Sequence, residues 1–120
     1  MPLCILAAGK TTVLAAAAFT LSWTHSVEKT RWEEDWRVTP AGLELAAARV
    51  EGTGAGMEIP DGAVLKDGMW TYHPALPPQE ALRLASSGAT VGGWMLCADG
   101  NCLTIGAEPA EPVEIRGCED

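Results

Sequence analysis

The run Phe19-Thr20-Leu21-Ser22-Trp23-Thr24-His25-Ser26-Val27 alternates without a break, with Phe, Leu, Trp, His and Val at odd positions and only Thr or Ser at even ones. Successive side chains of a strand point to opposite sides, so a period of two rich in aromatic and β-branched residues marks a strand with one face buried. A single strand leaves its backbone groups unpaired and its apolar face bare. The segment therefore commits its neighbours to supplying a sheet.

The neighbours are less clear. Arg31 to Val38 places Trp32, Trp36 and Val38 on one face, interrupted by Glu34, with Glu33, Asp35 and Arg37 on the other. Trp32 and Trp36 also sit one helical turn apart, so periodicity alone leaves this segment open. Pro40 and Gly42 mark a turn, and the Ala-rich stretch Leu43 to Glu51 reads as a strand or a short helix. Val64 to Tyr72 reads as a hairpin bent at Lys66-Asp67-Gly68. Pro74, Pro77 and Pro78 exclude a helix or a central strand and predict an ordered crossing loop. Ala81 to Ala85 is a short strand or a helical turn. The last hairpin runs from Val91 to Cys97, turns at Asp99-Gly100 and returns over Cys102 to Ile105. Short strands, frequent Gly and Pro turns and the lack of a long 3.6-residue period predict an all-β fold, a mostly antiparallel sandwich or small barrel. The expected organisation is a single β domain over residues 3–105. An acidic, Pro-containing and disordered tail is expected over 106–120, from Glu108, Pro109, Glu111 and Pro112.

The N-terminus imitates a signal peptide, being apolar from Met1 to Ala18 and ending in small residues. No Lys or Arg precedes the apolar stretch, however, and Lys10 interrupts it. The favoured reading is a strand over Leu3 to Ala8, a turn at Gly9-Lys10 and a second strand from Thr11. On that reading the chain carries no export signal, which favours the cytoplasm, with the periplasmic face of the inner membrane as the alternative. No apolar run is long enough to span a bilayer, so direct membrane insertion is not expected. Eight Lys and Arg against sixteen Asp and Glu in 120 residues give a net charge of −8. That balance argues against nucleic acid and anionic membranes as partners, because both are bound through basic surface.

The four cysteines do not have zinc-site spacing: Cys97 and Cys102 form one C-x4-C pair, and no second close pair exists. No metal or cofactor is expected. If Asp99-Gly100 is a two-residue turn, Cys97 and Cys102 face each other at a non-hydrogen-bonded position, where a disulfide fits. Such a bridge is permitted rather than required, since a reducing compartment would leave two thiols. Cys4 and Cys118 have no assigned partner.

His25, Ser26, Glu28 and Lys29 lie in the densest polar stretch. His25 and Glu28 would point to opposite faces of a strand, so they converge only if the chain turns between them, and a polar hairpin connection is the plainer reading. Gly52-Thr53-Gly54-Ala55-Gly56-Met57-Glu58 could form an anion-binding nest, but it lacks the Lys and Ser/Thr of a P-loop and the spacing of a dinucleotide fingerprint. A bent connection or a clamp for a ligand or partner remains. No nucleophile elbow, metalloprotease helix or Cys–His arrangement is legible, and no enzyme is expected. The tryptophans are mostly core residues, although Trp70-Thr71-Tyr72 could line a groove.

Taken together, Trp23-Thr24-His25-Ser26-Val27-Glu28-Lys29-Thr30, Trp32-Glu33-Glu34-Asp35-Trp36-Arg37-Val38, Gly52 to Glu58, Asp67-Gly68-Met69-Trp70 and Leu82-Arg83-Leu84-Ala85 resemble the small bacterial proteins of the domain of unknown function 1850 family. The resemblance runs from about Leu3 to Ile105. It implies an accessory protein, since relatives are often encoded beside the fused membrane subunit of TRAP-type transporters of the TAXI class, which move organic anions. It carries no established activity and no catalytic residue. The residues expected to contact such a subunit are His25, Ser26, Glu28 and Lys29, with Gly54, Gly56, Met57 and Glu58. The alternative expectation is a small-ligand or metal-binding module in which His25, Glu28 and Glu58 converge. Edge strands of an all-β domain also leave a homo-oligomer open.

Overall fold

From Phe19 to Thr24 the alternating segment lies in a strand whose Phe19 and Leu21 are buried, as period two predicts, and Ser22 on the opposite face is buried as well. The computed structural model describes residues 2–7, 9–24, 30–51, 62–84, 91–106 and 111–118. Its strands, in chain order, are β1 (Leu3–Ala7), β2 (Lys10–Leu14), β3 (Ala18–Thr24), β4 (Arg31–Thr39), β5 (Gly42–Glu51), β6 (Val64–Lys66), β7 (Met69–Tyr72), β8 (Leu82–Leu84), β9 (Val91–Ala98), β10 (Asn101–Ile105) and β11 (Val113–Gly117). They form a seven-stranded sheet, β10-β9-β3-β4-β5-β7-β6, and a four-stranded sheet, β2-β1-β11-β8. Every pairing between strands is antiparallel. The molecule is all-β, as its sequence predicts.

The turns follow their residues. Asp67 and Gly68 join β6 to β7, Asp99 and Gly100 join β9 to β10, and all of them have positive φ. That is the conformation which gives two-residue hairpin loops the twist of their strands. The two segments left open by periodicity, Arg31 to Val38 and Leu43 to Glu51, are the adjacent strands β4 and β5. Opposite Asp35 and Trp36 of β4, strand β5 carries one extra residue, Ala46, and the register shifts there. Ala81 to Ala85 contains strand β8. The proline segment crosses from the large sheet to the small one and is tied down at Gln79, whose backbone exchanges hydrogen bonds of 2.7 and 2.8 Å with Leu43.

The core lies between the sheets. Leu3, Ile5, Leu84, Val113 and Ile115 of the small sheet pack with Phe19, Leu21, Trp36, Val38, Leu43 and Leu96 of the large one. Leu3, Leu43, Leu96 and Ile115 have no exposed surface.

At the chain ends one expectation fails and one open point is answered. Residues 106–120, expected as a disordered acidic tail, include β11, which pairs with β1 on one side and β8 on the other. Its apolar content is only Val113 and Ile115, but both are buried, and the ladders on both sides satisfy its backbone. Cys4 and Cys118, left without partners, form a disulfide across 114 residues. The hairpin reading of the N-terminal stretch is the one the structure shows, with Ala7 paired to Lys10 and Leu3 to Leu14.

Candidate functional site

The small sheet covers only part of the inner face of the large sheet; farther along that face the side chains are aromatic. Cross-strand neighbours share a face, so register places Trp23, Trp32, Val50 and Trp70 in one row and Leu21, Glu34, Ala48 and Tyr72 in the next. Trp23 stacks on Trp32, with ring centroids 6.2 Å apart and planes 6° from parallel. Trp94 leans on Trp23 from β9, centroids 4.8 Å apart. These tryptophans are half-buried, whereas Val50 between them is fully buried.

Three polar groups sit in this aromatic region. Glu34, the residue that interrupts the apolar face of its strand, accepts a hydrogen bond of 3.1 Å from Trp36 Nε1 at Oε1. Burial raises the pKa of its carboxyl above the ordinary value, and the indole hydrogen bond only partly offsets this. Tyr72 is also raised, by burial and then by the negative charge of Glu34. Trp70 Nε1 is buried and has no hydrogen-bond acceptor among the described residues; leaving such a donor unpaired costs about 1–3 kcal/mol.

His25, Ser26, Glu28, Lys29, Gly54, Gly56, Met57 and Glu58 lie outside the described residues. The residues flanking them are described. Thr24 and Arg31, on either side of 25–29, are paired, and Trp32 pairs with Val50, close before the glycine segment. Val91, which follows 85–90, pairs with Thr24. The two motif segments thus leave from neighbouring strands at the tryptophan-bearing end of the large sheet.

The outer face of the same sheet carries an ion-pair network that the sequence does not announce. Arg49 grips Asp35 with Nη1 and Nη2 at 2.6 and 2.8 Å, and its Nε donates to Glu33 at 3.0 Å. Arg31 Nε reaches the other oxygen of Glu33 at 3.0 Å, and Thr20 Oγ1 donates to Asp35 at 2.9 Å. The Arg49 hydrogen bonds hold Asp35 below its ordinary pKa despite its partial burial. Burial would raise Glu33, but Arg49 and Arg31 together hold it down as well. Every oxygen of both carboxylates has a donor, so the network braces β3, β4 and β5 and leaves no unused charge for a ligand. Glu33 and Glu34, adjacent in sequence, point to opposite faces and cannot act as a pair. The signal for the network was the alternation of Glu33 and Asp35, but its partner Arg49 is set by strand register, which the sequence does not display.

Cys97 and Cys102 face each other across the β9–β10 hairpin and are bonded, with Cα atoms 4.0 Å apart. Beside Cys97 lies a cleft of about 520 Å³ lined by Thr20, Asp35, Arg37 and Asp99 among others. His73 Nδ1 is 2.9 Å from the backbone oxygen of Ala46, a structural contact. Among the described residues, no group of three His, Cys, Asp or Glu side chains could hold a metal ion.

The sequence model of the family described as Domain of unknown function (DUF1850) matches residues 19–105. The span expected from the motifs began near Leu3; the match instead begins inside β3 and ends with β10, so the strands β1, β2 and β11 lie outside it. No curated protein and no solved structure matches the chain.

Proposed function

This chain belongs to the Domain of unknown function (DUF1850) family, and on that premise we propose that it is a non-enzymatic accessory domain of a TRAP-type, TAXI-class organic-anion transporter. The supporting observation is the tryptophan-bearing end of the large sheet, where the strand ends flanking His25–Lys29 and Gly54–Glu58 are neighbours. Recognition surfaces draw on aromatic residues with a polar rim, and those two segments supply the polar groups. The contact is with the fused membrane subunit. Two disulfides join all four cysteines, which supports an oxidising compartment rather than the cytoplasm, the side on which such a transporter would meet its substrate.

The test is recovery of the transporter subunit from detergent-solubilised membranes with the tagged protein. Recovery is expected with the wild type and is expected to fall with Glu28→Lys combined with Lys29→Glu, while the melting curve stays unchanged. Equal recovery in both would overturn the assignment of these residues. Recovery of no specific subunit by the wild type would overturn the accessory reading.

A second reading is favoured by one observation, the buried Trp70 Nε1 donor, which has no acceptor among the described residues and lies on β7 two residues from Tyr72. It makes the same end a binding module for a small ligand or a metal, using His25, Glu28 and the Gly52 to Glu58 loop. A metal and metabolite screen by thermal shift tests it, with any stabilisation lost on His25→Ala.

A further inference from the structure

The two disulfides differ in what they hold and in how a reagent reaches them. Cys4–Cys118 joins the ends of the chain; Cys4 is buried, and the bridge lies next to the pairing of β1 with β11. Cys97–Cys102 spans a hairpin already closed without it. The Asp99-Gly100 turn sets the register, and the β9–β10 ladder extends from Ala98↔Asn101 to Trp94↔Ile105. Strand β10 is an edge of the large sheet, and Cys102 on it is exposed. Cys97 opens on the cleft of about 520 Å³ on the outer face.

We infer that Cys97–Cys102 is a thiol–disulfide exchange site, open to reduction by a dithiol while the fold stands, and that Cys4–Cys118 is structural. Exchange needs a thiolate to approach one sulfur in line with the bond it breaks. Cys102, exposed on the edge strand, offers that approach. The incoming thiolate bonds to Cys102 Sγ, the bond between Cys102 and Cys97 breaks, and its electron pair leaves on Cys97 Sγ. That thiolate forms in a cleft lined by Arg37, Asp35 and Asp99. Asp35 is neutralised by Arg49, so it opposes the new charge less than a free carboxylate would, and Cys97 then takes a proton from water. The second thiolate of the reagent attacks its own sulfur in the mixed disulfide and expels Cys102, which is protonated in turn. The dithiol ends as a disulfide and the protein as a dithiol, two electrons richer. The hairpin keeps its turn and its ladder.

The probe is dithiothreitol acting on the folded full-length protein, followed by alkylation at successive times and peptide mass mapping. Cys97 and Cys102 are expected to become alkylated at least about tenfold faster than Cys4 and Cys118, with circular dichroism unchanged while they do. Simultaneous opening of both bridges, or opening that tracks loss of structure, overturns the inference. So does resistance of Cys97–Cys102 under conditions that reduce glutathione disulfide. The double variant Cys97→Ser with Cys102→Ser checks the premise separately. It is expected to fold with the wild-type spectrum, and failure to fold would show the bridge to be structural.

Discussion

Cys4 and Cys118 are bonded with Cα atoms 5.9 Å apart, and the Cys118 N–H donates to the Pro2 carbonyl at 3.0 Å. The hydrogen bond extends the β1–β11 ladder beyond its last strand pair, Leu3↔Gly117, and the disulfide ties Cys118 back to Cys4, which pairs with Arg116 inside the ladder. The first and last strands of the chain are the two central strands of the small sheet, and the bridge fixes them together at one end.

Replacing both residues, Cys4→Ala with Cys118→Ala, is therefore expected to be costly. On the chain-entropy account, closing so long a loop stabilises by about 5 kcal/mol, against about 2 kcal/mol for the short Cys97–Cys102 loop. Denaturant unfolding of the two double variants checks the order. The variant lacking Cys4–Cys118 should lose at least twice as much stability.

Ending the chain at Ile105 should abolish folding. The truncation removes Val113 and Ile115, both buried, worth about 1.5–3 kcal/mol each. It also leaves unpaired the edges of β1 and β8 that β11 satisfies. Total stability for a domain of this kind is about 5–15 kcal/mol, so no cooperative thermal transition is expected by circular dichroism. A normal melt would show that the large sheet stands without its cover.

Arg49→Met removes the donor shared by Asp35 and Glu33. The network is partly solvated, with Asp35 more than a third exposed, so the loss at pH 7 is set at roughly 1 kcal/mol. Both carboxyls titrate below their ordinary values of 3.8 and 4.5. Their contribution is present above those values and disappears as pH falls through the lower folded ones. Urea midpoints for wild type and variant should differ at pH 7 and converge as pH falls below the ordinary carboxylate values.

What the sequence disclosed was local. The Phe19 to Thr24 alternation, both Asp-Gly turns and the facing of Cys97 and Cys102 depend on neighbours within a few residues, and the structure has them as expected. Arg31 to Val38 stayed open because Glu34 broke the apolar face, and the reason appears only in three dimensions, where Trp36 donates to that carboxyl. Strand β11 was hidden because Val113 and Ile115 follow Glu108, Pro109, Glu111 and Pro112, which read as solvated chain. Its partners β1 and β8 are supplied by tertiary pairing, and nothing nearby in the sequence marks the register. The same holds for Arg49 and for Cys4 with Cys118. Of the candidate site, the motifs were legible, but the tryptophan-bearing end from which they leave needed the pairing of β3, β4 and β5.

Gly42→Ala tests the tie between the sheets and the proline crossing. Gly42 has φ +128°, and a Cβ there would lie 2.6 Å from the Gln79 carbonyl oxygen. The obstacle is backbone, held by the Leu43–Gln79 hydrogen bonds, so it cannot swing away as a side chain would. Strain and clash together should cost about 2–3 kcal/mol. Thermal unfolding reads the loss, and a shift of less than one degree would show that the crossing is free to move.

Glu34→Gln acts in the opposite direction. The carboxyl lies on the inner face with a raised pKa, so ionising it in the folded state is unfavourable. For a raised acid the stabilising contribution is present below the ordinary value of 4.5 and is lost as pH rises through the folded value. Glutamine keeps an oxygen for the Trp36 N–H and removes the charge. The variant should therefore melt a few degrees higher than wild type at pH 7, the shift that about 1 kcal/mol produces in a domain of this size. The gain should shrink as pH falls and vanish below the ordinary carboxylate range. Loss of stability at pH 7 would instead mean that the charged form of Glu34 has a cationic partner in the folded protein, and binding to the tryptophan-bearing end would then have to be sought through that charge.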